Sequence, residues 1–267
     1  MKNIRIGAVI SNSPVGEIRQ NLENMLKWIP EAKAGGAAVI CFPELNITGY
    51  STRRDIFDAA QPIPGAVTDE LCNLSISENI VILAGMAEKT ENQKIYASHL
   101  VVGPKGDIGV YRKLHLAPPE RGIYTPGNKI PVFKIQEIKF GIQLCYDAHF
   151  PELSTYMTSK QVDVIFIPHA SPRGKPSEKH ESWMKHLPAR AYDNSIFVVA
   201  CNQTGNNNKG LNFPGNAVVL GPSGNVITKA LSGNEKIVIA DLKADELERV
   251  RNHEMRCFFP NKRSDLF

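Results

Sequence analysis

Five short runs, 38–42, 81–86, 138–144, 164–167 and 196–200, are apolar almost throughout. They lack the alternation of a strand with one wet face, so they predict strands in sheets covered on both sides. Between them lie segments with helical spacing. Residues 21–33 put Leu22, Met25, Leu26 and Ile29 on one face and run into Gly35-Gly36, a helix-ending pair. Residues 68–78, 151–160 and 181–193 read as further helices, and residues 4–10 as a strand passing from an edge into the core. Hairpins are predicted at 96–112 and around 221–225, where Gly-Pro-Lys-Gly-Asp and Gly-Pro-Ser-Gly-Asn are strong turn signals. VVGPKGDI (101–108) echoes VLGPSGNV (219–226). The echo suggests an α/β chain of two α-β-β-α halves, with two sheets face to face and helices outside. Turn chemistry alone would produce the same echo. No linker divides the chain, so residues 1–267 are expected to form a single domain. Residues 255–267 are charged and aromatic without periodicity, an end that either frays or docks on a partner.

Composition excludes several functions. Lys and Arg exceed Asp and Glu by 31 to 27 and are dispersed, so no basic stripe invites nucleic acid. The five cysteines, Cys41, Cys72, Cys145, Cys201 and Cys257, are widely spaced and form no CxxC pair, which argues against a disulfide scaffold or a zinc site. No apolar stretch approaches the roughly 20 residues that span a bilayer. The opening MKNIRIGAVISNSP is too short in its apolar run for a signal peptide, so a reducing, cytoplasmic compartment is expected. GNNNKGLN (205–212) has the glycine spacing of a phosphate loop but lacks its Lys-Ser/Thr. The two histidines of HESWMKH (180–186) would stand about 240° apart on a helix, unlike a zinc pair. There is no GxSxG or GxGxxG.

Three polar positions each follow a predicted strand. Glu44 lies in VICFPELNITGY (39–50), Lys113 and Glu120 in VYRKLHLAPPERGIYTPG (110–127), and Cys145 in GIQLCYDAHFPE (141–152). Each has an ordinary reading: a solvated glutamate, an exposed lysine, a packed thiol. Yet strand ends on one side of a buried sheet are where α/β folds gather sites. A carboxylate there can take a thiol's proton, and an ammonium can stabilise the charge that develops. A redox role for Cys145 would want a resolving cysteine, and none is near in sequence.

On these three motifs, in this order, the chain resembles the nitrilase superfamily of carbon–nitrogen hydrolases along essentially its whole length. ARAYDNSIFVVACNQTG (189–205), with Arg190, Asn194 and Asn202, adds to the likeness. The resemblance implies a four-layer αββα sandwich, with Glu44 as general base, Lys113 as charge stabiliser, Cys145 as nucleophile and Glu120 as a second glutamate near the lysine. It implies a small-molecule substrate, no metal or organic cofactor, and a homodimer or higher oligomer whose C-terminal tail, here 255–267, reaches across. Tyr146-Asp147 is similar to the amidase and carbamoylase branches. The implied reaction is hydrolysis of a non-peptide C–N bond in a small amide or N-carbamoyl amine through a cysteine thioester. The rival readings are a nitrilase and a catalytically silent binding protein on the same scaffold. Many relatives carry arginine four residues after the cysteine, where this chain has His149. Without that fork of donors, neutral amides are the expected substrates. Tyr50, Tyr146, His149, Ser171, Arg173 and Trp183 are the candidate substrate-binding residues.

Overall fold

The apolar runs become strands, and they sort into two sheets. The computed structural model describes all residues except Gln136, Ser264 and Phe267. The first half runs β1 (Ile4–Ile10), α1 (Ile18–Ala34), β2 (Val39–Cys41), α2 (Ile56–Ala59), α3 (Ala66–Glu78), β3 (Val81–Lys89), β4 (Ile95–Val102) and β5 (Ile108–Arg112). The second runs β6 (Phe133–Ile135), β7 (Ile138–Ile142), α4 (Pro151–Ser159), β8 (Val164–His169), α5 (Pro176–Met184), α6 (Leu187–Asn194) and β9 (Phe197–Asn202). A small hairpin, β10 (Thr204–Asn206) and β11 (Asn212–Pro214), precedes β12 (Ala217–Leu220), β13 (Val226–Ala230), β14 (Lys236–Leu242) and α7 (Ala244–Arg251).

One six-stranded sheet has the order β14-β1-β2-β3-β4-β5, the other β13-β12-β9-β8-β7-β6. In the first, β1, β2 and β3 are parallel, and β4 and β5 fold back antiparallel. In the second, β7, β8 and β9 are parallel, and β12 and β13 fold back antiparallel. The two halves therefore repeat one topology, and the sequence echo sits at the same corner of each. Gly103 N–H donates to Asp107 O (2.9 Å) and Gly106 N–H to Gly103 O (3.0 Å). Gly221 N–H donates to Asn225 O and Gly224 N–H to Gly221 O, both at 2.9 Å. Gly106 and Gly224 both have φ +77°, a left-handed conformation that glycine adopts without a Cβ clash.

Alternation along each strand sorts its side chains into layers. Ile6, Ala8, Cys41, Leu83 and Ala97 of the first sheet join Ile142, Phe166, Val199 and Val219 of the second in one core between the sheets. Ile40, Ile82 and Ala84 face the other way, against Met25 and Ile29 of α1 and Leu71 of α3. Leu153 and Met157 of α4 and Leu187 and Ala191 of α6 cover the far side of the second sheet. The result is the expected helix–sheet–sheet–helix sandwich. No described helix is long and apolar enough to cross a membrane.

Two expectations need correction. The helix expected at 181–193 is two helices, broken at Lys185-His186, with Pro188 in the first turn of α6. Proline has no N–H to give but fits a first turn, where none is needed. Residues 236–251 supply a strand and a helix that the hydrophobic pattern did not single out. As a result β1 is flanked on both sides, by β14 and β2, rather than lying towards an edge. Part of the C-terminal segment packs on its own chain: Phe258 meets Tyr192 with ring centroids 5.3 Å apart. Ser264 and Phe267 of the expected docking tail lie outside the described residues.

Candidate active site

Glu44 lies just past β2, in a loop laid along β3. Gly85 N–H donates to Asn46 Oδ1 (2.8 Å), Ile47 N–H to Gly85 O (2.9 Å) and Ala87 N–H to Thr48 Oγ1 (2.9 Å). A Cβ on Gly85 would collide with the backbone nitrogen of Leu45, so glycine is what lets the loop lie this close. Gln203 Nε2 also donates to Glu44 O (2.7 Å), tying the loop to the second half.

Lys113 follows β5 and is fully buried. Its ammonium donates to Glu44 Oε1 (2.8 Å) and Glu120 Oε1 (2.7 Å), which uses two of its three protons. Glu120 is held on three sides, because Tyr50 OH also donates to Oε1 (3.2 Å) and Ala117 N–H to Oε2 (2.8 Å). Glu44 Oε2 accepts from Ala170 N–H (2.9 Å), just past β8.

Cys145 opens the 3₁₀ turn Cys145–His149 beyond β7. Its φ of +44° is a left-handed conformation unusual for a residue with a Cβ, as sites that aim one side chain often require. Asp147 braces this corner. Its Oδ2 accepts from Leu144 N–H (3.0 Å) and Tyr111 OH (2.8 Å), and its Oδ1 accepts from His115 N–H (2.8 Å). One buried carboxylate thus ties the cysteine turn to the loop that carries Lys113.

The electrostatics follow from burial and these partners. Burial, with a smaller push from Glu120, raises the Glu44 carboxyl to about 7 against the opposing pull of Lys113. Burial would lower the Lys113 ammonium, but the Glu44 and Glu120 carboxylates prevail and hold it well above its ordinary value. Burial and then Glu44 push the Cys145 thiol up to about 12, with Lys113 pulling the other way. The resting thiol is therefore protonated, and a base must take its proton as it attacks.

A cavity of about 350 Å³ opens over Cys145 and Glu120. Tyr50, Tyr146, His149, Ser171 and Arg173 of the expected substrate-binding residues line it. Trp183 does not. It is buried, its ring 4.4 Å from that of His169, and it packs rather than lining the cavity. Leu211, Pro119 and Thr52 line the cavity without having been singled out in the sequence. Arg190, Asn194 and Asn202 are supports: Arg190 Nε donates to Ala148 O (2.8 Å), Asn194 Nδ2 to Arg190 O (3.0 Å) and Asn202 Nδ2 to Ser171 O (3.0 Å). The GNNNKGLN segment forms the β10–β11 hairpin, with Gly205 and Gly210 at positive φ.

Fold and site define a class, an α/β-sandwich hydrolase. Within that class, the chain belongs to the carbon–nitrogen hydrolase family, whose model, described as "Carbon-nitrogen hydrolase", matches residues 5–252. It is 31% identical to a nitrilase of Pyrococcus abyssi, with 99% of each chain covered. It is 28% identical to an omega-amidase of Xenopus tropicalis over 93% of this chain and 91% of that one. Its fold matches that of Nit3, a nitrilase-superfamily member of Saccharomyces cerevisiae, at a TM-score of 0.86 and 24% identity over 100% and 97% of the two chains.

Proposed function

We propose that the chain hydrolyses a small amide or N-carbamoyl amine in two steps at Cys145. The observation that carries this is the buried Glu44–Lys113–Glu120 cluster beside a protonated thiol. Glu44 takes the thiol proton as sulfur attacks the carbonyl carbon. The third proton of Lys113 and the backbone N–H of Tyr146 stabilise the oxyanion. Glu44 passes the proton to the departing nitrogen, and ammonia or an amine leaves behind a thioester. Glu44 then deprotonates water, which attacks the thioester, and the acid departs as Cys145 regains its proton. Glu120, fixed from three sides, orients Lys113 and keeps it charged. Tyr50, Tyr146, His149 and Ser171 shape the space around the acyl group. The name of the Pyrococcus relative keeps nitriles in view, and Tyr146-Asp147 after the cysteine favours amides. The test is ammonia release from matched amides, N-carbamoyl amines and nitriles. Turnover of the nitrile alone would overturn the amide reading.

A pH profile bears on Glu44. Only its carboxylate form serves as base, so kcat/KM should rise through an apparent pKa near 7. Stability should move the other way. A carboxyl raised from 4.5 to about 7 in the fold makes the folded state bind more protons. Its contribution is fully present below 4.5 and is lost as pH rises through 7. In Glu44→Gln the 4.5–7 component of a melting-temperature series should vanish together with activity. A wild-type profile flat from pH 5 to 9 would remove Glu44 from the role of base.

The working unit is a cytoplasmic homodimer of one-domain chains. Tyr156 on α4, Tyr192 on α6 and Phe258 leave apolar surface exposed on the outer layer of the second sheet, which supports an interface there. Tyr192→Asp should bring the mass by light scattering down to that of one chain. A dimeric mass in that variant would place the interface elsewhere.

A further inference from the structure

The loop just past β8 holds an arginine in a costly backbone conformation. Arg173 has φ +69° and is followed by Gly174 at +79°. Left-handed backbone at a non-glycine residue persists only where surroundings over-determine it, and it clusters at ligand clamps. Here the surroundings do so. Ser171 N–H donates to Asn202 Oδ1 (2.9 Å), and Asn202 Nδ2 returns to Ser171 O (3.0 Å). Lys179 Nζ donates to Ser171 Oγ (2.7 Å) and Pro172 O (3.2 Å), and Arg173 N–H donates to Asn212 O (2.8 Å).

What this scaffold presents is a cation. Arg173 lines the cavity over Cys145, and among the described residues it makes no ion pair. The cavity's one acidic lining residue, Glu120, is already engaged by Lys113, Tyr50 and Ala117. Most of the other lining residues are small or apolar, among them Ala117, Pro119, Ala170, Pro172 and Leu211. Lys179, half-buried behind the loop, adds positive charge on the same side. An exposed guanidinium without a partner among the described residues, carried by a held loop at the wall of such a pocket, suits a planar anion.

We infer that Arg173 binds a carboxylate at the far end of the substrate, so that the enzyme acts on monoamides of dicarboxylic acids or on N-carbamoyl amino acids. This rests on the amide-hydrolase reading above. It reverses the preference for neutral amides expected from His149, because the guanidinium absent four residues after Cys145 is supplied from the loop after β8.

Two matched pairs test it by ammonia release: glutaramate against pentanamide, and N-carbamoyl-β-alanine against N-propylurea. In each pair the members share their length and differ in the charged end. Wild type should favour the charged member of at least one pair by about 10–100-fold in kcat/KM, the range for a charge-assisted contact. That pair tells the monoamide from the N-carbamoyl amino acid. In Arg173→Gln the ratio should fall to near one, and Arg173→Lys should restore part of it. Because the readout is a ratio within one protein, a general loss of activity cancels. On a Cys145→Ala background, calorimetry should show Arg173→Gln weakening binding of the favoured charged compound by a similar factor. A wild-type preference for both neutral members, or a ratio unmoved in Arg173→Gln, overturns the assignment and leaves the amide-hydrolase reading standing. If wild type turns over none of the four, that reading falls and takes this one with it.

Discussion

Cys145→Ala should release no measurable ammonia while melting as the wild type does. The substitution removes one sulfur from a partly exposed residue and leaves the corner to Asp147, whose bonds run to Leu144, Tyr111 and His115 rather than to the thiol. Cys145→Ser should be nearly as inactive. A hydroxyl is much harder to deprotonate than a thiol, and this thiol is already raised to about 12. An amide bearing an electrophilic carbon should add mass to the wild type and none to Cys145→Ala. Substantial turnover by either variant would remove Cys145 from the role of nucleophile.

Lys113→Ala should be the most damaging change that spares the thiol, and it should act in two ways. Loss of one oxyanion donor typically lowers kcat by about 10²–10³. The same change strands Glu44 and Glu120, both buried, without the ammonium that lies between them. Breaking a buried pair in this way costs roughly 3–5 kcal/mol. The stranded carboxyls should answer by taking up a proton, which would also deprive Glu44 of its function as base. Denaturant unfolding and kinetics well below the melting point separate the two effects. A higher KM at unchanged kcat would instead make Lys113 a substrate-binding residue.

The sequence made some of this legible and hid the rest for physical reasons. β7, β8 and β9 could be seen because parallel strands covered on both faces are nearly all apolar. β14 could not: KIVIADL is interrupted by charge, and its partner β1 lies at the other end of the chain. The break between α5 and α6 was visible only as Pro188, since proline in a first turn does not announce a new helix. Glu44, Lys113 and Cys145 were conspicuous as candidates because each comes within three residues of a strand's end. Asp147, Lys179 and the N–H of Ala170 matter through contacts between distant segments, such as the 2.9 Å bond from Ala170 to Glu44, and no local pattern encodes those. Trp183 misled because an aromatic residue near a loop suggests a pocket, and here it fills space against His169.

The repeated topology bears on how the chain comes off the ribosome. Glu44, Lys113 and Glu120 belong to the first half, Cys145 to the second, and β14 completes the first sheet only after β13 has been made. A nascent chain of some 130 residues thus carries Glu44, Lys113 and Glu120 but lacks Cys145, and β1 still has an open edge. On the mechanism proposed above, reactivity should arrive late in synthesis, once the second sheet docks and buries the cluster. On that mechanism an unfinished or truncated chain should be inert toward amides, and its exposed strand edge, rather than stray chemistry, is what quality control would have to handle.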